Sequence, residues 1–250
     1  MNLRNLGTVI LDLLYPRVCP VCGEASDREG RSVCWRCFSS LPLIDTSVPR
    51  CRICGKVPDG CVDSDFICDA CLREMPAFDM ARFAMRYEDA ARLLVHTLKY
   101  KDGTWLSPDL CDILEGCARV SFDVDAIDAI IPVPLSPAKF RQRKYNQTEL
   151  LVRGLSSRLG VPASSRLVVR TRNTPSQTHM TAEERRRNVG GAFAVAEPSL
   201  VRARTLLVVD DVMTTGSTLS EMALTLKGAG AWRVWALAIA RADMDQGGLN

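Results

Sequence analysis

The sequence has no long hydrophobic run. Its longest apolar stretches, such as residues 234–240, are much shorter than the roughly 18 residues that a membrane-spanning helix needs. Apolar residues near the N-terminus recur at helical spacing and predict a helix there, but Asp12 interrupts them and no small-residue cleavage site follows. We therefore expect neither a membrane span nor a secretory signal, and we predict a soluble, cytoplasmic protein.

Histidine is also scarce, with two residues in a chain of 250. His96 falls within a predicted amphipathic helix, where a structural or surface role is the expected one. His179 lies in the basic segment 136–191, where nothing supports a role as general base. Neither histidine therefore indicates a catalytic mechanism.

Cysteine is nearly absent from the second part of the chain but abundant in the first. Of eleven cysteines, nine lie within residues 19–71, and only Cys111 and Cys117 follow. We expect those two to be small core or partly buried residues. The break divides the chain into a cysteine-rich module with the N-terminal helix, residues 1–76, and a body, residues 77–250.

The module contains four Cys-x-x-Cys pairs, and two such pairs supply the four thiolates of a tetrahedral zinc site. Disulfides would need an oxidising compartment, and a redox-active site would need only one pair. We therefore predict two structural zinc ions, because four thiolates leave no coordination position open. Pairing in sequence order and a cross-braced arrangement both satisfy this prediction. Cys61 is the ninth cysteine, either a loop thiol or a replacement ligand. The predicted ligands are Cys19, Cys22, Cys34, Cys37, Cys51, Cys54, Cys68 and Cys71.

The body alternates between segments of strand and helix character, which favours an α/β fold with a mainly parallel sheet. The uninterrupted apolar run at residues 206–209 is typical of a central parallel strand. Apolar residues recur at helical spacing in the segments between strands. We predict strands over 80–87, 126–133, 167–169, 192–195, 206–209 and 233–240, and helices over 88–98, 107–120, 146–159 and 217–227.

The segment 207–218 carries the most informative pattern, Leu-Val-Val-Asp-Asp-Val-Met-Thr-Thr-Gly-Ser-Thr. A buried strand leads into two carboxylates, a hydroxyl-rich loop and the start of a helix. Ligands of open α/β sheets bind beyond the carboxyl ends of strands, and amides at a helix N-terminus favour a phosphate. Asp210 and Asp211 would repel a phosphate, so they suit a ribose diol, or a magnesium ion held partly through water. An ordinary strand-to-helix turn would explain any one of these residues, but not the whole string.

Basic residues are concentrated in the middle of the body, where residues 136–191 hold 12 of them and 3 acidic residues. Such a block indicates an anionic partner, either a phosphate, a nucleotide or a nucleic acid. Its arginines could neutralise a leaving group, but Glu183 and Glu184 could instead pair with the arginines that follow, as on a solvated helix face. The aromatic residues of the block are Phe140 and Tyr145, which is sparse for stacking on single-stranded DNA.

The segment 207–218 resembles the phosphoribosyl pyrophosphate (PRPP) motif of type I phosphoribosyltransferases. The chain beyond its first helix resembles the competence protein F (ComF) family, in which a cysteine-rich double zinc ribbon precedes such a domain. One departure is Lys144, where relatives often have glycine. Besides the cysteine pairs and the Asp-Asp loop, the resemblance rests on residues 98–101, 133–135, 141–147, 170–177, 185–188 and 191–193.

The resemblance implies a type I phosphoribosyltransferase-like parallel sheet flanked by helices, and a role for each motif. Asp210 and Asp211 would bind the ribose hydroxyls, and residues 170–188 would be a mobile loop that closes over the site. Val133 and Pro134 would form the loop on the pyrophosphate side. The implied 5-phosphate ligands are Thr214, Thr215, Gly216, Ser217 and Thr218. The candidate catalytic residues, which would contact the leaving group, are Arg170, Arg172, Gln177 and Arg185.

Together, these features predict a magnesium-dependent phosphoribosyltransferase that uses PRPP and an unidentified acceptor. One alternative is a non-catalytic competence factor that acts in DNA uptake through a protein partner or single-stranded DNA. Another is a PRPP sensor without turnover. Nothing in the chain resembles the nucleophile of a glutaminase domain, so we do not expect it to release ammonia from glutamine.

Overall fold

The computed structural model describes residues 17–58, 60, 62–100, 102–172 and 190–242. Its strands are β1 (Met80–Arg86), β2 (Ala129–Pro132), β3 (Val168–Arg170), β4 (Phe193–Val195), β5 (Thr205–Met213) and β6 (Arg233–Arg241). Its helices are α1 (Trp35–Ser39), α2 (Asp69–Arg73), α3 (Asp89–Tyr100), α4 (Ser107–Ser121), α5 (Pro137–Arg143), α6 (Gln147–Leu159) and α7 (Ser217–Gly228). Short 3₁₀ turns span Gly103–Leu106, Val124–Ala126 and Pro198–Leu200.

The centre of the fold is a four-stranded parallel sheet in the order β1-β6-β5-β2. Successive side chains of a strand point to opposite sides of the sheet. In β5 the side chains on both sides are buried. Leu207 and Val209 belong to a core with α3, α4 and α6, whereas Leu206 and Val208 belong to a second core with α7. This double covering explains the unbroken apolar run at β5. Strands β3 and β4 form a separate antiparallel pair.

The cysteine-rich module covers the edge strand β1. The module contains a first cysteine group (Cys19, Cys22, Cys34 and Cys37) and a second cysteine group (Cys51, Cys54, Cys68 and Cys71). Between the two groups, Leu43 forms an antiparallel bridge with Met85, and the Ile44 amide donates to the Ala84 carbonyl at 2.9 Å. Nearer the start of β1, the Ala81 amide donates to the Ile53 carbonyl at 2.7 Å. An exposed sheet edge is a template for unwanted pairing, so these bonds protect it.

The second cysteine group packs tightly against the sheet at Gly55. A Cβ atom on Gly55 would lie 2.8 Å from the Ala81 carbonyl oxygen, and the backbone φ of +72° is one that glycine adopts most readily. The first cysteine group contributes to the core with α4, and the second contributes to the core with α7. The module therefore straddles the β1 edge and reaches both faces of the sheet.

Every strand and helix predicted for the body is present, with shifted boundaries. Strand β5 continues to Met213, well past the predicted end at residue 209, and so includes both aspartates. Helix α5 was not predicted, because its basic sequence has no apolar face. Lys144 follows α5 with a φ of +64°, a left-handed conformation that glycine adopts most readily. Cys61 and the predicted N-terminal helix lie outside the described residues.

The two predicted core cysteines are placed as expected. Cys111 is buried within α4, and Cys117 is half-buried one and a half turns later. Along the described ranges, no helix combines the length and the apolar character needed to cross a membrane.

A buried ion-pair network joins the first cysteine group to α4. Asp109 is fully buried and accepts from Arg28 at 2.9 Å and from the amides of Ser32 and Val33 at 2.9 and 3.2 Å. Arg28 and Arg31 also contact Asp112, at 3.2 and 2.6 Å. Truncation of Asp109 would remove the acceptor of both amides and leave Arg28 with Asp112 as its carboxylate partner.

We expect Asp109→Ala to lower the free energy of unfolding by about 3–5 kcal/mol, because two amides lose their acceptor and the buried Arg28 guanidinium loses one of its two carboxylate partners. Denaturant titration of the zinc-loaded protein measures this loss. The matched control is Asp125→Ala, since Asp125 is exposed and the change should stay within about 0.5 kcal/mol. Equal stability of the two variants would mean that the network does not hold the module to the body.

Candidate functional site

The eight predicted zinc ligands form two groups, and within each group the sulfur atoms lie within 4.8 Å of one another. The pairs combine in sequence order and are not cross-braced: one group is Cys19, Cys22, Cys34 and Cys37, and the other is Cys51, Cys54, Cys68 and Cys71. The second pair of each group spans the start of α1 or α2, whose first turn brings both sulfurs to one point. Four thiols in this arrangement fit a tetrahedral, structural zinc ion and leave no position for a water ligand.

The loop after β5 has the geometry of an anion site. Gly216 occupies the N-cap of α7 with a φ of +79° and has no side chain to compete for the amides of the first helical turn. A Cβ atom there would lie 2.8 Å from the Met213 methyl group. The hydroxyls of Thr215 and Ser217 are 2.6 Å apart, so they share one local network. Helix N-termini of this kind stabilise a phosphate.

Asp211 is the better anchored of the two neighbouring carboxylates. It is buried, and its Oδ1 atom lies 2.7 Å from the Lys99 ammonium. Its Oδ2 atom accepts a hydrogen bond from Gln147 Nε2 at 2.5 Å. Burial opposes its ionisation, but the Lys99 charge and these hydrogen bonds lower its pKa below the ordinary value. Asp211 is therefore a carboxylate held in one orientation.

The pKa of Asp210 is shifted in the opposite direction, upward from its ordinary value. Burial of its carboxyl and the negative charge of Asp211 raise its pKa to about 7, although the Asp211 amide donates to its Oδ1 atom at 2.8 Å. Asp210 therefore holds its proton to a higher pH than Asp211 does. Two adjacent acids of one motif thus differ because their surroundings differ.

Four cations surround the carboxylate pair. Burial and the positive charges of Arg143, Arg170 and Lys99 lower the pKa of Lys139. Burial lowers the pKa of Arg170 as well, while Asp210 opposes that change. Such mutual repulsion among cations is relieved when an anion binds between them.

Two buried polar atoms near the carboxylates lack a hydrogen-bond partner among the described residues: Arg143 Nε and Gln147 Oε1. Unsatisfied buried polar atoms are uncommon in folded proteins, and a bound ligand is one explanation for them. The surrounding charges and these atoms together suit a ligand that carries both hydroxyls and several anionic oxygens.

The predicted pyrophosphate-side loop lies at the same sheet edge. The Val133 amide donates to the Val209 carbonyl at 2.9 Å, which places the loop beside the strand that carries the acids. The Val133 carbonyl accepts from Asn146 Nδ2 at 3.1 Å and from Thr148 Oγ1 at 2.8 Å. Pro134 follows in a partly exposed position. The start of α6 therefore fixes this loop.

The four candidate catalytic residues differ in what the structure shows of their surroundings. Arg170 ends β3, stacks near Phe193 and lies close enough to Asp210 for their charges to interact. Arg172 is exposed and donates to the Gly190 carbonyl at 2.6 Å, so its described contact is with backbone. Gln177 and Arg185 lie outside the described residues, as do all residues of the predicted mobile loop from 173 to 188.

Sequence reasoning missed the roles of Lys99, Gln147 and Lys139. At the start of α6, Asn146 caps the helix by accepting from the Thr148 amide at 3.2 Å, whereas the Gln147 side chain reaches Asp211. Lys99 was placed just past a predicted helix end at residue 98, whereas α3 continues to Tyr100. The signal was present for Lys99 and Gln147, since both belong to the segments on which the family resemblance rests.

A cleft of about 910 Å³ is lined both by the loop after β5 and by the second cysteine group. Its lining includes residues 214–217 together with Cys54, Cys68 and Cys71. Arg241 lines the cleft and donates to the Cys54 carbonyl at 2.9 Å. The second cysteine group and the loop after β5 are therefore neighbours, and Arg241 at the end of β6 contacts that group.

Comparison with known families matches both parts of the chain. Residues 10–72 match the double zinc ribbon domain, and residues 148–245 match the phosphoribosyl transferase domain. Of the solved structures, the glutamine PRPP amidotransferase from B. subtilis matches at 15% identity with a TM-score of 0.39, over 58% of this chain and 30% of that one. A similarity at that level supports no argument about function.

Curated relatives match over most of their length. The DNA utilization protein YhgH of Salmonella typhimurium is 32% identical over 232 residues, which cover 91% of this chain and 92% of that protein. Competence protein F of Haemophilus influenzae is 31% identical over 200 residues, which cover 78% of this chain and 86% of that protein. The two names concern DNA utilization and competence.

Proposed function

The chain belongs to the family of the DNA utilization protein YhgH and competence protein F, and we propose that it binds PRPP at the carboxyl edge of its parallel sheet and transfers the phosphoribosyl group to an acceptor. The observation that carries this proposal is the juxtaposition of a carboxylate pair, an anion-type loop and a cluster of cations. PRPP has the matching groups, namely a ribose diol, a 5-phosphate and a pyrophosphate.

Each part of the site has a role in this proposal. Asp210 and Asp211 accept hydrogen bonds from the ribose hydroxyls, and Thr214 to Thr218 bind the 5-phosphate. Val133 and Pro134 lie on the pyrophosphate side. Arg170, Arg172, Gln177 and Arg185 are the proposed leaving-group contacts, of which Arg170 has a described position near the acids.

The transfer would break the bond between ribose C1 and a pyrophosphate oxygen, a lone pair of the acceptor would form the new bond at C1, and the proton that the acceptor loses would pass to water. The bonding electron pair leaves with pyrophosphate, so charge builds up on the leaving group and an oxocarbenium-like centre forms on the ribose. We assign Lys139 and Arg170 to neutralise the leaving charge. Burial lowers the pKa of both side chains, and neighbouring cations lower that of Lys139 further, so an anion bound beside them would restore a favourable environment for their charges.

Magnesium fits this site only when it is bound together with PRPP. Both carboxylate oxygens of Asp211 are engaged by Lys99 and Gln147, so the pyrophosphate oxygens and water would be its main ligands. When bound with PRPP, the metal would stabilise the negative charge that develops on pyrophosphate.

Release of pyrophosphate tests whether the protein turns over. The zinc-loaded protein is incubated with PRPP and magnesium, alone and with each nucleobase, ammonia or a simple amine, and pyrophosphate is measured over time. An enzyme gives acceptor-dependent release that Arg170→Ala lowers at least about 10-fold. PRPP binding without release under every condition would instead identify a sensor.

A second candidate function is the handling of single-stranded DNA in uptake or processing, alone or with a protein partner. The family names favour it, and so does the run of Lys139, Arg141, Arg143 and Lys144 on and just after α5. Phosphate contacts make binding fall steeply with salt. Retention on single-stranded DNA that is lost between low and high salt, and weakened by Arg141→Ala, would support this role. Equal retention of the variant would argue against it.

A further inference from the structure

Lys99 is a largely buried charge, contributed by a helix outside the segment 207–218 that carries the two acids. It lies in the last turn of α3, and its side chain is 18% exposed. Its ammonium lies 2.7 Å from Asp211 Oδ1, while Gln147 occupies the other oxygen of the same carboxylate. Burial opposes the charge on Lys99, but Asp211 raises its pKa above the ordinary value, so the lysine stays protonated.

A buried ion pair of this kind is a poor way to stabilise a fold. Two charges lose their hydration, and an apolar pair of similar volume is often as stable or more so. The Lys99–Asp211 pair therefore calls for a role beyond folding. Lys99 contacts a carboxylate that the ligand would use, so we look for its role in ligand binding.

The three consecutive residues at the end of α3 each contact a different part of the site. The Leu98 carbonyl accepts a hydrogen bond from the Tyr145 hydroxyl, and Lys99 pairs with Asp211. The ring of Tyr100 lies 4.7 Å from the Arg143 guanidinium carbon, and Arg143 Nη2 donates to the Tyr100 hydroxyl at 3.0 Å. The end of α3 thus connects the acids to the basic helix α5, which gives residues 98–100 a physical role.

We propose that Lys99 is a positioning residue of the PRPP site: with Gln147 it fixes the orientation of the Asp211 carboxylate, and its charge compensates the two adjacent acids so that both can accept hydrogen bonds from the ribose hydroxyls. This inference rests on the proposed function, because it assigns Lys99 a task within PRPP binding. It gives Lys99 no contact with the reacting atoms.

The charges around the acids determine how the proposal is tested. Asp210 is affected by Asp211 next to it, Lys99 from α3, Lys139 from α5 and Arg170 from β3, while Arg143 from α5 acts on Asp211. Removing the Lys99 charge makes ionisation of both acids harder. If the acids must be ionised to bind the diol, the pH at which PRPP binding is half-maximal will rise.

The test is the pH dependence of PRPP affinity, measured by calorimetry from pH 5.5 to 9 at fixed magnesium. We expect Lys99→Met and Lys99→Gln to move the midpoint upward by about one pH unit or more. PRPP binding at pH 7 then weakens about 5-fold or more, and it recovers by pH 9. Lys99→Arg keeps the charge and should bind within about 3-fold of the wild-type protein. The glutamine variant keeps the test open if the methionine variant does not fold.

The matched control is Lys227→Met, which removes a lysine that pairs with Asp79 at 2.8 Å on the surface. It should leave the pH profile unchanged. Weakening by the same factor at every pH in the Lys99 variants would mean that Lys99 contacts the ligand itself, and unchanged binding would mean that it does nothing there. Either result overturns the proposal. Absence of PRPP binding by the wild-type protein at every pH would instead refute the proposed function.

Discussion

The double substitution Asp210→Asn and Asp211→Asn is expected to raise the dissociation constant for PRPP at least about 100-fold and to leave the zinc content unchanged. Hydrogen bonds to a charged acceptor contribute about 1.5–3 kcal/mol each, and the variant weakens two of them. It also leaves the buried Lys99 ammonium without the carboxylate that lies 2.7 Å away. The zinc groups lie on the module and do not include either acid.

Calorimetric titration with PRPP and elemental analysis for zinc measure the two halves of this prediction. Asp123→Asn with Asp125→Asn is the matched control, because it also neutralises two acids close together in the sequence, but both are exposed. The control should bind PRPP like the wild-type protein. If the Asp210 and Asp211 variant bound PRPP normally, the ribose site would be wrongly placed.

The second large effect is expected from the zinc groups. Cys54→Ser with Cys71→Ser should remove one of the two zinc ions, and with it much of the roughly 10–16 kcal/mol that a structural zinc contributes to folding. PRPP affinity should fall as well, because the second cysteine group and the loop at residues 214–217 line the same cleft. Arg241, which donates to the Cys54 carbonyl, links that group to the end of β6.

Cys22→Ser with Cys37→Ser makes the comparison informative. It should also remove one zinc ion, but the first group belongs to the core with α4, and none of its ligands lines that cleft. PRPP affinity should therefore fall less than in the variant of the second group. Cys117→Ser lies outside both groups and should retain both ions. Equal PRPP affinity in the two zinc-site variants would show that the second group does not support the loop.

The sequence was sufficient for the parts of the structure that local patterns encode. The zinc groups follow from the two-residue spacing of each cysteine pair, and the grouping in sequence order joins pairs that are neighbours along the chain. The central strand was recognisable because residues 206–209 are apolar on both faces, as a strand covered on both sides requires. The loop after β5 was recognisable because glycine and hydroxyl residues follow two acids.

The remaining features depend on contacts between distant residues. Strand β5 continues through its acids because the long neighbour β6 supplies pairing partners, with Asp210 opposite Ala238. No local pattern encodes that extension. Helix α5 has no apolar periodicity, although Ser136 before Pro137 was a usable start signal, since Ser136 Oγ accepts from the Lys139 amide.

The roles of Lys99 and Gln147 were beyond sequence reasoning for the same reason. Each side chain reaches Asp211 from another part of the fold, and Gln147 is 64 residues away along the chain. Residues 98–101 and 141–147 could be recognised as motifs, but a motif without a partner has no assigned chemistry. The structure supplies the partner in both cases.

Titration of the zinc-loaded protein with PRPP, in the presence and absence of magnesium, tests the central claim most directly. The account predicts saturable binding with one PRPP per chain, strengthened by magnesium and lost in the Asp210 and Asp211 double variant. Absence of binding by the folded, zinc-loaded protein in both conditions would contradict it.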